Sequence, residues 1–438
     1  MNICMAHYAF YPTTGGVESH LLDLCGELVR QGHTVHALVG SLDGEPEHSE
    51  LQGVHLTRTD PMNPEWIRDQ KAARGIPAED TDPIILAQIK KLFMEFVVEH
   101  DIHVVHGHNF HHFVPEHALA LTDLWAAGTP NLLTVHEVWS EFICEDLLQR
   151  AKWDSVITFC DHVTQGIKQQ APHLDNIRVV YPGIDVELFS PANKNRKWAD
   201  KLGLADRPVI IHPARMLPWK GVIYSVRAME IIREQFPDAL LIVTDTEDIV
   251  DWIRELKGYK EEVHRAIRDL GLQDNVVTQP FPYMELHWVY NYCDVVIYPT
   301  IGEEPFGLVP VEAMACGKPT VVTRSGGMVE SVVDGHTGYI IGKRDPETLA
   351  ERICRLLDNR ELSQRLGRQG RKRAVEVFSR DRMARDTVAL YNQAIEAGAQ
   401  RAHDRLVRGI APAAAPHAAT VATKGQAAAH GSQDVAGS

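Results

Sequence analysis

Short apolar runs alternate with amphipathic segments along this chain, and the alternation begins twice. The first run, "NICMAHYAF", precedes the turn "YPTTGG", after which apolar residues recur at helical spacing at Val17, Leu21, Leu24 and Leu28. Gly32 marks the end of that predicted helix, and "HTVHALVG" follows as a strand. Because strand, helix and strand in this order build parallel sheets, the pattern predicts an α/β fold.

The pattern begins again near residue 206. Strands are predicted first at "IHVVHG", "NLLTVHE", "SVITFC" and "IRVVYPG", and then, after the linker-like "YPGIDVELFSPANKNRK", at "RPVIIHPAR" and "ALLIVTD". Between the last two strands, the turn "MLPWKG" precedes a helix with Val222, Val226, Met229 and Ile232 on one face. We therefore expect two facing Rossmann-like, doubly wound domains whose strand-end loops line a common cleft, because ligands bind beyond the carboxyl ends of such strands.

The domain boundaries follow from changes in composition. We predict an N-terminal domain at 1–185 and a C-terminal domain at 186–373. The segment Pro346 to Ala397 is charged and helical in pattern. Residues 400–438 are rich in Ala, Pro and Gly with few large apolar side chains, so we predict a disordered tail there.

Composition excludes several classes of protein. The formal net charge of −15 argues against a general nucleic-acid binder, which needs a basic surface. Seven scattered cysteines without a C-x-x-C pair indicate reduced thiols, as in the cytosol. No leader peptide or spanning stretch is recognised, so a soluble cytoplasmic protein is expected. The basic run "RQGRKR" at 368–373 is interpreted as a solvated helix face, although peripheral contact with the inner face of a membrane stays open.

The stretch "IGEEPFGLVPVEAMACGKP" at 301–319 carries two glutamates, Glu304 and Glu312, in an E-x7-E arrangement. The apolar run before it predicts a strand, and "FGLVPVEAMACG" predicts a turn entering a helix. Backbone amides of Phe306, Gly307 and Leu308 would then form a phosphate site at the helix N-terminus. We expect Glu312 to accept ribose hydroxyl protons and Glu304 to lie near a transferred group. The alternative is two solvated surface carboxylates.

Two cations in "ARMLPWKG", Arg215 and Lys220, follow a predicted strand. Arg offers a planar fork of donors and Lys a point charge, which together suit a diphosphate. The alternative is a pair of ordinary surface cations. Trp219 lies between them, and a role in shaping the pocket and a role in packing are equally supported.

Two N-terminal motifs give weaker signals. In "TTGGVE", Gly15 and Gly16 would let the backbone approach a ligand closely, although a plain tight turn explains them as well. In "LLTVHEVW", His136 ends an apolar strand, where a neutral imidazole would contact a sugar hydroxyl or the reacting centre. The alternative is a histidine whose hydrogen bonds are satisfied within the protein.

The run "HDIHVVHGHNFHH" contains six histidines at 100–112 and suggests a metal site. We do not expect one, because a strand followed by a turn would scatter these side chains over both faces, and no cysteine or carboxylate completes a ligand set. His108 and Asn109, at the predicted strand end, are interpreted as acceptor contacts.

Together these motifs resemble the retaining GT-B glycosyltransferases, and more narrowly glycosyltransferase family 4, the group 1 transferases, over residues 1 to 397. The E-x7-E motif is the most specific element, followed by the "AR…KG" loop, while "GGVE", "VVHGHN", "TVHE" and "YPGID" add support in the expected order. The sequence departs from the family in "IVTDTED" at 242–248, where a glycine-rich turn is common.

The resemblance implies a role for each residue. Arg215 and Lys220 would bind and stabilise the leaving diphosphate, with Gly16 close by, while Glu312 would bind the nucleotide ribose. Glu304 and His136 would contact the donor sugar. The resemblance also implies a crossover helix at about 374–397 that completes the first domain. The implied reaction moves a hexose from a nucleotide-diphospho-sugar to a carbohydrate, lipid-linked or small-molecule hydroxyl, with retention and with no metal or other cofactor.

Other functions remain open from sequence alone. A metal-dependent transferase of the other common fold would need a D-x-D motif, and the "DTD" at 80–82 is interpreted as a solvated loop. A nucleotide-sugar epimerase or a phosphorylase on the same fold is the enzymatic alternative. A non-catalytic nucleotide-sugar-binding protein is the third possibility.

Overall fold

The chain folds into two compact units, Met1–Val180 with Met383–Ser438, called here the first unit, and Tyr181–Arg382, the second unit. The computed structural model describes residues 1–13, 15–137, 147–204, 207–244 and 255–408. The first unit ends at Val180 and resumes at Met383, whereas the predicted boundaries lie at residues 185 and 374. Each contains a sheet of parallel or mostly parallel strands covered by helices, which confirms the predicted α/β class.

The first unit is built on an eight-stranded sheet in the order β3-β4-β2-β1-β5-β6-β7-β8. Among the strand pairs described in this sheet, only β3–β4 is antiparallel. The strands are β1 (Asn2–Ala6), β2 (Thr34–Gly40), β3 (His48–Leu51), β4 (Val54–Thr59), β5 (Val104–His108), β6 (Asn131–Val135), β7 (Ser155–Thr158) and β8 (Ile177–Val179). Six of them were predicted. Strands β3 and β4 were missed because β3, "HSEL", is a short polar edge strand with no apolar alternation.

Helices cover this sheet at Gly16–Arg30, Pro64–Ala72, Pro83–Glu99, Glu116–Ala127 and Asp161–Gln170. The first helix follows its predicted pattern, because Leu21, Leu24 and Leu28 are buried in the core of the unit. It ends where Gly32 takes a φ of +86° and donates its N–H to the carbonyl of Val29, as glycine does just past a helix.

The last helix, Arg380–Val407, packs Met383, Tyr391 and Ala394 into the core of the first unit. The helix predicted at 374–397 is in fact divided, since the preceding helix ends at Val377. Just after it, the carbonyl of Phe378 accepts the N–H of Ile184, and the N–H of Arg380 donates to the carbonyl of Ile184.

The predicted tail also needs a correction. Residues 400–407 are helical, and Arg401 donates to the carboxylate of Asp154 at 3.0 Å. From residue 409 the predicted disordered tail lies outside the described residues.

The second unit has a six-stranded parallel sheet in the order β11-β10-β9-β12-β13-β14. The strands are β9 (Val209–His212), β10 (Leu240–Val243), β11 (Val276–Thr278), β12 (Val295–Tyr298), β13 (Thr320–Thr323) and β14 (Gly338–Ile341). The chain order reverses between β9 and β12, and the carboxyl ends of strands at such a switch point are where open α/β sheets bind ligands.

The helices of the second unit bury the faces that the sequence predicted. Val222, Val226, Met229 and Ile232 of the helix after β9 are all buried in one core. The described helices are Arg196–Lys201, Val222–Gln235, Glu255–Asp269, Tyr283–Tyr292, Leu308–Ala315, Met328–Ser331, Pro346–Asp358 and Arg360–Val377. Across the described part of both units, we find no helix with the length and hydropathy needed to cross a membrane.

Two charged segments that we interpreted as solvated are instead tied into the structure. Asp82 of the "DTD" segment is buried, caps the helix Pro83–Glu99 by accepting the N–H of Ile84 at 2.8 Å, and bonds to Arg74. In the basic run at 368–373, Arg371 and Arg373 donate to backbone carbonyls within the second unit. Buried polar groups need such partners, which explains why these residues are not free on the surface.

Candidate active site

The loops after β9 and β12 meet at the switch point of the second unit. The carbonyl of Trp219, in the loop after β9, accepts hydrogen bonds from the hydroxyl of Thr300 at 2.7 Å and the N–H of Ile301 at 2.8 Å. The Trp219 side chain itself is 41% exposed. Its backbone, more than its ring, therefore joins the two loops that carry the candidate residues.

Lys220, Glu304 and Tyr298 form one hydrogen-bonded group at this point. The ammonium of Lys220 is bonded to the carboxylate of Glu304 and donates to the hydroxyl of Tyr298 at 2.7 Å. The Tyr298 hydroxyl in turn donates to Oε1 of Glu304 at 3.3 Å. Lys220 and Glu304 belong to separate motifs, and both were predicted to contact a donor molecule. The structure brings them into direct contact. Tyr298, which sequence reasoning missed, contacts both of them.

Tyr298 is the last residue of β12 and is buried. Burial and the neighbouring Glu304 carboxylate raise its pKa well above the usual range, and the charge of Arg215 partly opposes this effect. The phenol therefore stays protonated at neutral pH and can donate a hydrogen bond. The only sequence signal was a tyrosine at the carboxyl end of an apolar strand.

Arg215 and Lys220 lie on the same loop, as predicted, but in different surroundings. Arg215 is exposed, whereas Lys220 is engaged by Glu304 and Tyr298. One cation is therefore open to an incoming ligand, and the other is held in place by the protein.

The backbone of Glu304 is fixed by the loop that follows β13. Its N–H donates to the hydroxyl of Ser325 at 3.1 Å, and its carbonyl accepts the N–H of Gly327 at 2.9 Å. Gly326 has a φ of +43°, and a Cβ there would lie 1.9 Å from the Glu304 carbonyl oxygen. Only glycine fits at this position. Ser325 and Gly326 were not predicted, because their contacts are with a distant part of the chain.

The helix Leu308–Ala315 begins directly after this loop. Its N-cap residue, Gly307, has a φ of +83° and offers no side chain to cap the first N–H groups. The start of the helix can therefore direct backbone N–H groups and the positive end of the helix dipole to an anion. Phe306 itself is buried against Tyr181 and Phe378, so only its backbone is a candidate contact.

Glu312 lies inside this helix and is only 5% exposed. Its Oε2 accepts a hydrogen bond from the hydroxyl of Tyr290 at 2.8 Å. Glu312 is thus not a helix-surface carboxylate. It is a buried acceptor. A ribose hydroxyl bound there, as predicted, would donate a further hydrogen bond to a carboxylate that already accepts one from Tyr290. Tyr290 was also missed by sequence reasoning.

In the first unit, Gly15 and Gly16 lie between β1 and the first helix. Gly15 is extended, and a Cβ on it would meet the side chain of Glu18, while Gly16 has open space around it. Neither residue has a left-handed backbone conformation that would favour glycine. The close approach of a ligand therefore remains a prediction for this pair, and the preceding Thr14 lies outside the described residues.

His136 follows β6 and is 6% exposed. Its backbone N–H donates to Oδ1 of Asn109 at 3.0 Å, and its Nε2 lies 3.0 Å from Nδ1 of His108. His108 and Asn109 are themselves buried at 0% and 3% exposure. Their predicted role as acceptor contacts stays a prediction, and the contacts observed here hold His136 in place.

The histidine run is divided: His100 stacks on the ring of His36 and His103 accepts the backbone N–H of Asn2, whereas His106, His108, His111 and His112 are buried. The carboxyl end of β5 and the turn after it both face the interior, so the imidazoles collect there. Burial lowers the pKa of these rings, to about 3 for His106, so they are neutral near pH 7.

Among the residues that the structure describes, one group of metal-ligating side chains comes together, formed by His20, His108 and His136. One nitrogen from each lies within 4.8 Å of the others. His20 comes from the first helix and was not predicted. The group offers three neutral imidazoles and no carboxylate, and two of its rings already bond to each other.

Both units of the chain match known protein families. Residues 14–188 match the family described as Glycosyltransferase Family 4, and residues 194–373 match the family described as Glycosyl transferases group 1. The GDP-mannose-dependent alpha-(1-6)-phosphatidylinositol monomannoside mannosyltransferase of Mycolicibacterium smegmatis is 29% identical over 395 residues, which cover 84% of this chain and 92% of that protein.

Solved structures show the same fold. A glycosyltransferase from Rickettsia africae has a TM-score of 0.70 at 20% identity over 90% of this chain and 98% of its own. Anabaena HepE in complex with UDP-glucose has a TM-score of 0.64 at 22% identity over 91% of this chain and 99% of its own. With two family matches that together span most of its length, the chain belongs to the group 1 glycosyltransferases of family 4 and has the GT-B fold.

Proposed function

We propose that this glycosyltransferase moves a hexose from a nucleotide-diphospho-sugar to a hydroxyl acceptor, with retention of anomeric configuration and without a metal. The observation that supports it most is the contact between Lys220 and Glu304 at the switch point of the second unit. The cation proposed to bind the diphosphate and the carboxylate proposed to contact the sugar lie side by side there. The mannosyltransferase relative uses GDP-mannose by its name, and HepE binds UDP-glucose, which supports this donor class.

The chemistry needs positive charge where the nucleotide leaves. Cleavage of the bond between sugar and phosphate builds negative charge on the diphosphate, and preorganised cations and N–H dipoles lower the energy of that state. Arg215, Lys220 and the N–H groups at the start of Leu308–Ala315 supply them in this proposal. Since protein cations can carry this role, no metal step is included.

The nucleotide and sugar would be held by the remaining candidate residues. Glu312 accepts hydroxyl protons of the ribose, and Glu304 and His136 contact the sugar. For retention we propose same-face attack, in which the departing phosphate oxygen takes the proton of the acceptor hydroxyl. The acceptor would bind the first unit, with a carbohydrate, a lipid-linked sugar or a small molecule as the candidates. The protein would act in the cytoplasm, with peripheral membrane contact left open.

A ligand panel tests the proposal. The wild type and Glu312→Ala are heated with UDP, GDP, ADP and their sugar conjugates in EDTA. We expect one nucleotide to raise the melting temperature of the wild type but not of the variant, because a ligand that binds only the folded state stabilises it. Glu234→Ala, which removes an exposed carboxylate near the end of the helix Val222–Gln235, is the control and should keep the response.

The responding donor is then incubated with acceptors, and the anomeric configuration of the product is read by NMR. An inverted product would contradict retention. An isomerised donor would point to an epimerase, phosphate-dependent cleavage to a phosphorylase, and binding without turnover to a sensor. No response to any nucleotide, with or without Mg²⁺, would contradict the donor site itself.

A further inference from the structure

We propose that Tyr298 is a positioning residue for the transfer reaction, and that its hydroxyl keeps the Lys220 ammonium in place while Lys220 exchanges the Glu304 carboxylate for the donor diphosphate. The inference deepens the proposed function and rests on it. Tyr298 belongs to neither of the motifs that carry Lys220 and Glu304.

The geometry places one hydroxyl between two opposite charges. It accepts a hydrogen bond from Lys220 Nζ at 2.7 Å and donates one to Glu304 Oε1 at 3.3 Å. Lys220 Nζ also lies 5.3 Å from the centre of the Tyr298 ring. A lysine has a flexible stem of four carbons and holds its ammonium in one place only if its partners fix it. Of its two polar partners here, the phenol is the one without charge.

The two partners differ when a donor arrives. A diphosphate is more strongly anionic than one carboxylate and would compete with Glu304 for the ammonium. Tyr298 is kept protonated by burial and by Glu304, so it does not compete as an anion. It can therefore bond to Lys220 both before and after the exchange. Without this hydroxyl, the ammonium would have to reorganise as charge develops, which raises the barrier.

Tyr298 itself is held rigidly. It is 5% exposed, pairs in register with Val322 of β13, and packs its ring edge-to-face on His212 with the ring centres 5.8 Å apart. The hydroxyl of Tyr290, by comparison, contacts Glu312 and is likewise buried in the second unit. Tyr290 therefore provides a matched control for the loss of one buried hydroxyl.

The test is a double-mutant cycle on Tyr298→Phe and Lys220→Met, with wild-type turnover measured first. We expect Tyr298→Phe to lower kcat/KM about tenfold in the wild type, equal to about 1.4 kcal/mol, and less than about twofold in Lys220→Met. A residue that acts through Lys220 loses its effect once Lys220 is gone. Tyr290→Phe should lower kcat/KM by the same factor in both backgrounds, because its partner is Glu312.

Each outcome separates the two proposals. Equal factors for Tyr298→Phe in both backgrounds, or no effect in the wild type, would overturn the positioning role and leave the proposed function standing. If the wild type binds its nucleotide diphosphate without turnover, the wild type and the same variants are compared by calorimetric Kd, with the same non-additivity expected. If it binds no nucleotide, both proposals fall. Circular dichroism and melting temperature identify any variant that has lost its fold.

Discussion

Lys220 and Glu304 are 84 positions apart in the chain and form an ion pair at the carboxyl edge of the second sheet. Their loops follow β9 and β12, which are neighbours in the sheet but are separated in sequence by β10 and β11. The parallel arrangement brings the ends of these two strands to one place. The contact is therefore a consequence of strand order, and the side chains are 15% and 11% exposed, within reach of a ligand.

Removing the Lys220 cation should slow the transfer strongly. We expect Lys220→Met to lower kcat/KM by about 10²- to 10³-fold, as the loss of one preorganised charge-stabilising donor does in other enzymes. Lys343→Met is the matched control, since Lys343 pairs with Glu303 near the same edge and Glu303 is 58% exposed. Exposed pairs contribute about 0–1 kcal/mol, so Lys343→Met should change kcat/KM less than about threefold. Equal losses for both variants would refute a specific role for Lys220.

Gly221, directly after Lys220, should not tolerate a side chain. Its φ is +77°, and a Cβ would lie 2.1 Å from the carbonyl oxygen of Pro299. Gly203 also has a positive φ, of +64°, but open space around it. Gly203→Ala should therefore cost only backbone strain of about 1 kcal/mol, and Gly221→Ala about 3 kcal/mol or more in unfolding free energy. Urea unfolding of both variants measures the difference, and similar costs would show that the close approach to Pro299 is not limiting.

The buried histidines should make the first unit sensitive to acid. Burial lowers the pKa of His20 to about 4 and of His106 to about 3, whereas an unfolded histidine titrates near 6.5. Between these values the unfolded chain binds more protons than the folded chain. The free energy of unfolding is therefore fully retained above about pH 6.5 and falls as the pH decreases, by up to about 1.4 kcal/mol per pH unit for each such histidine.

This slope can be assigned to individual residues. His20→Leu should reduce the pH dependence of the free energy of unfolding between pH 4.5 and 6.5 by the equivalent of about one bound proton. The folded and unfolded states then no longer differ in protonation at that site. The measurement is urea unfolding at several pH values, read on peptides of the first unit by hydrogen exchange. His48→Gln, on the exposed edge strand, is the control. An unchanged slope in His20→Leu would show that His20 is already protonated in the folded state.

Metal removal should leave the reaction intact. After dialysis against EDTA we expect kcat within about twofold of the untreated protein, since in the proposed mechanism Arg215 and Lys220 supply the positive charge at the diphosphate. The histidine group of His20, His108 and His136 is the place where a bound ion would matter, so the metal content is measured before and after dialysis. Loss of turnover that Mg²⁺ or Zn²⁺ restores would contradict metal independence.

Much of the fold could be predicted because its signals are local. The helical spacing of Leu21, Leu24 and Leu28 and the apolar strands around His136 depend on residues a few positions apart. The sequence pattern gave wrong or no predictions for elements that depend on more than nearby residues. The edge strand β3 is polar, and the helix predicted across Phe378 is divided by backbone bonds to Ile184, nearly two hundred residues earlier in the chain.

The candidate site divides in the same way. The sequence by itself determined the α/β class, the two sheets, the family, and the motifs that hold Arg215, Lys220, Glu304 and Glu312. Only the tertiary structure decided that Lys220 and Glu304 pair directly with Tyr298 in contact with both, that Tyr290 bonds to Glu312, and that His20 joins His108 and His136. The physical reason is that periodicity reports which face of an element is buried, whereas side-chain partners depend on which strand ends become neighbours, and that is set by the order of strands in the sheet.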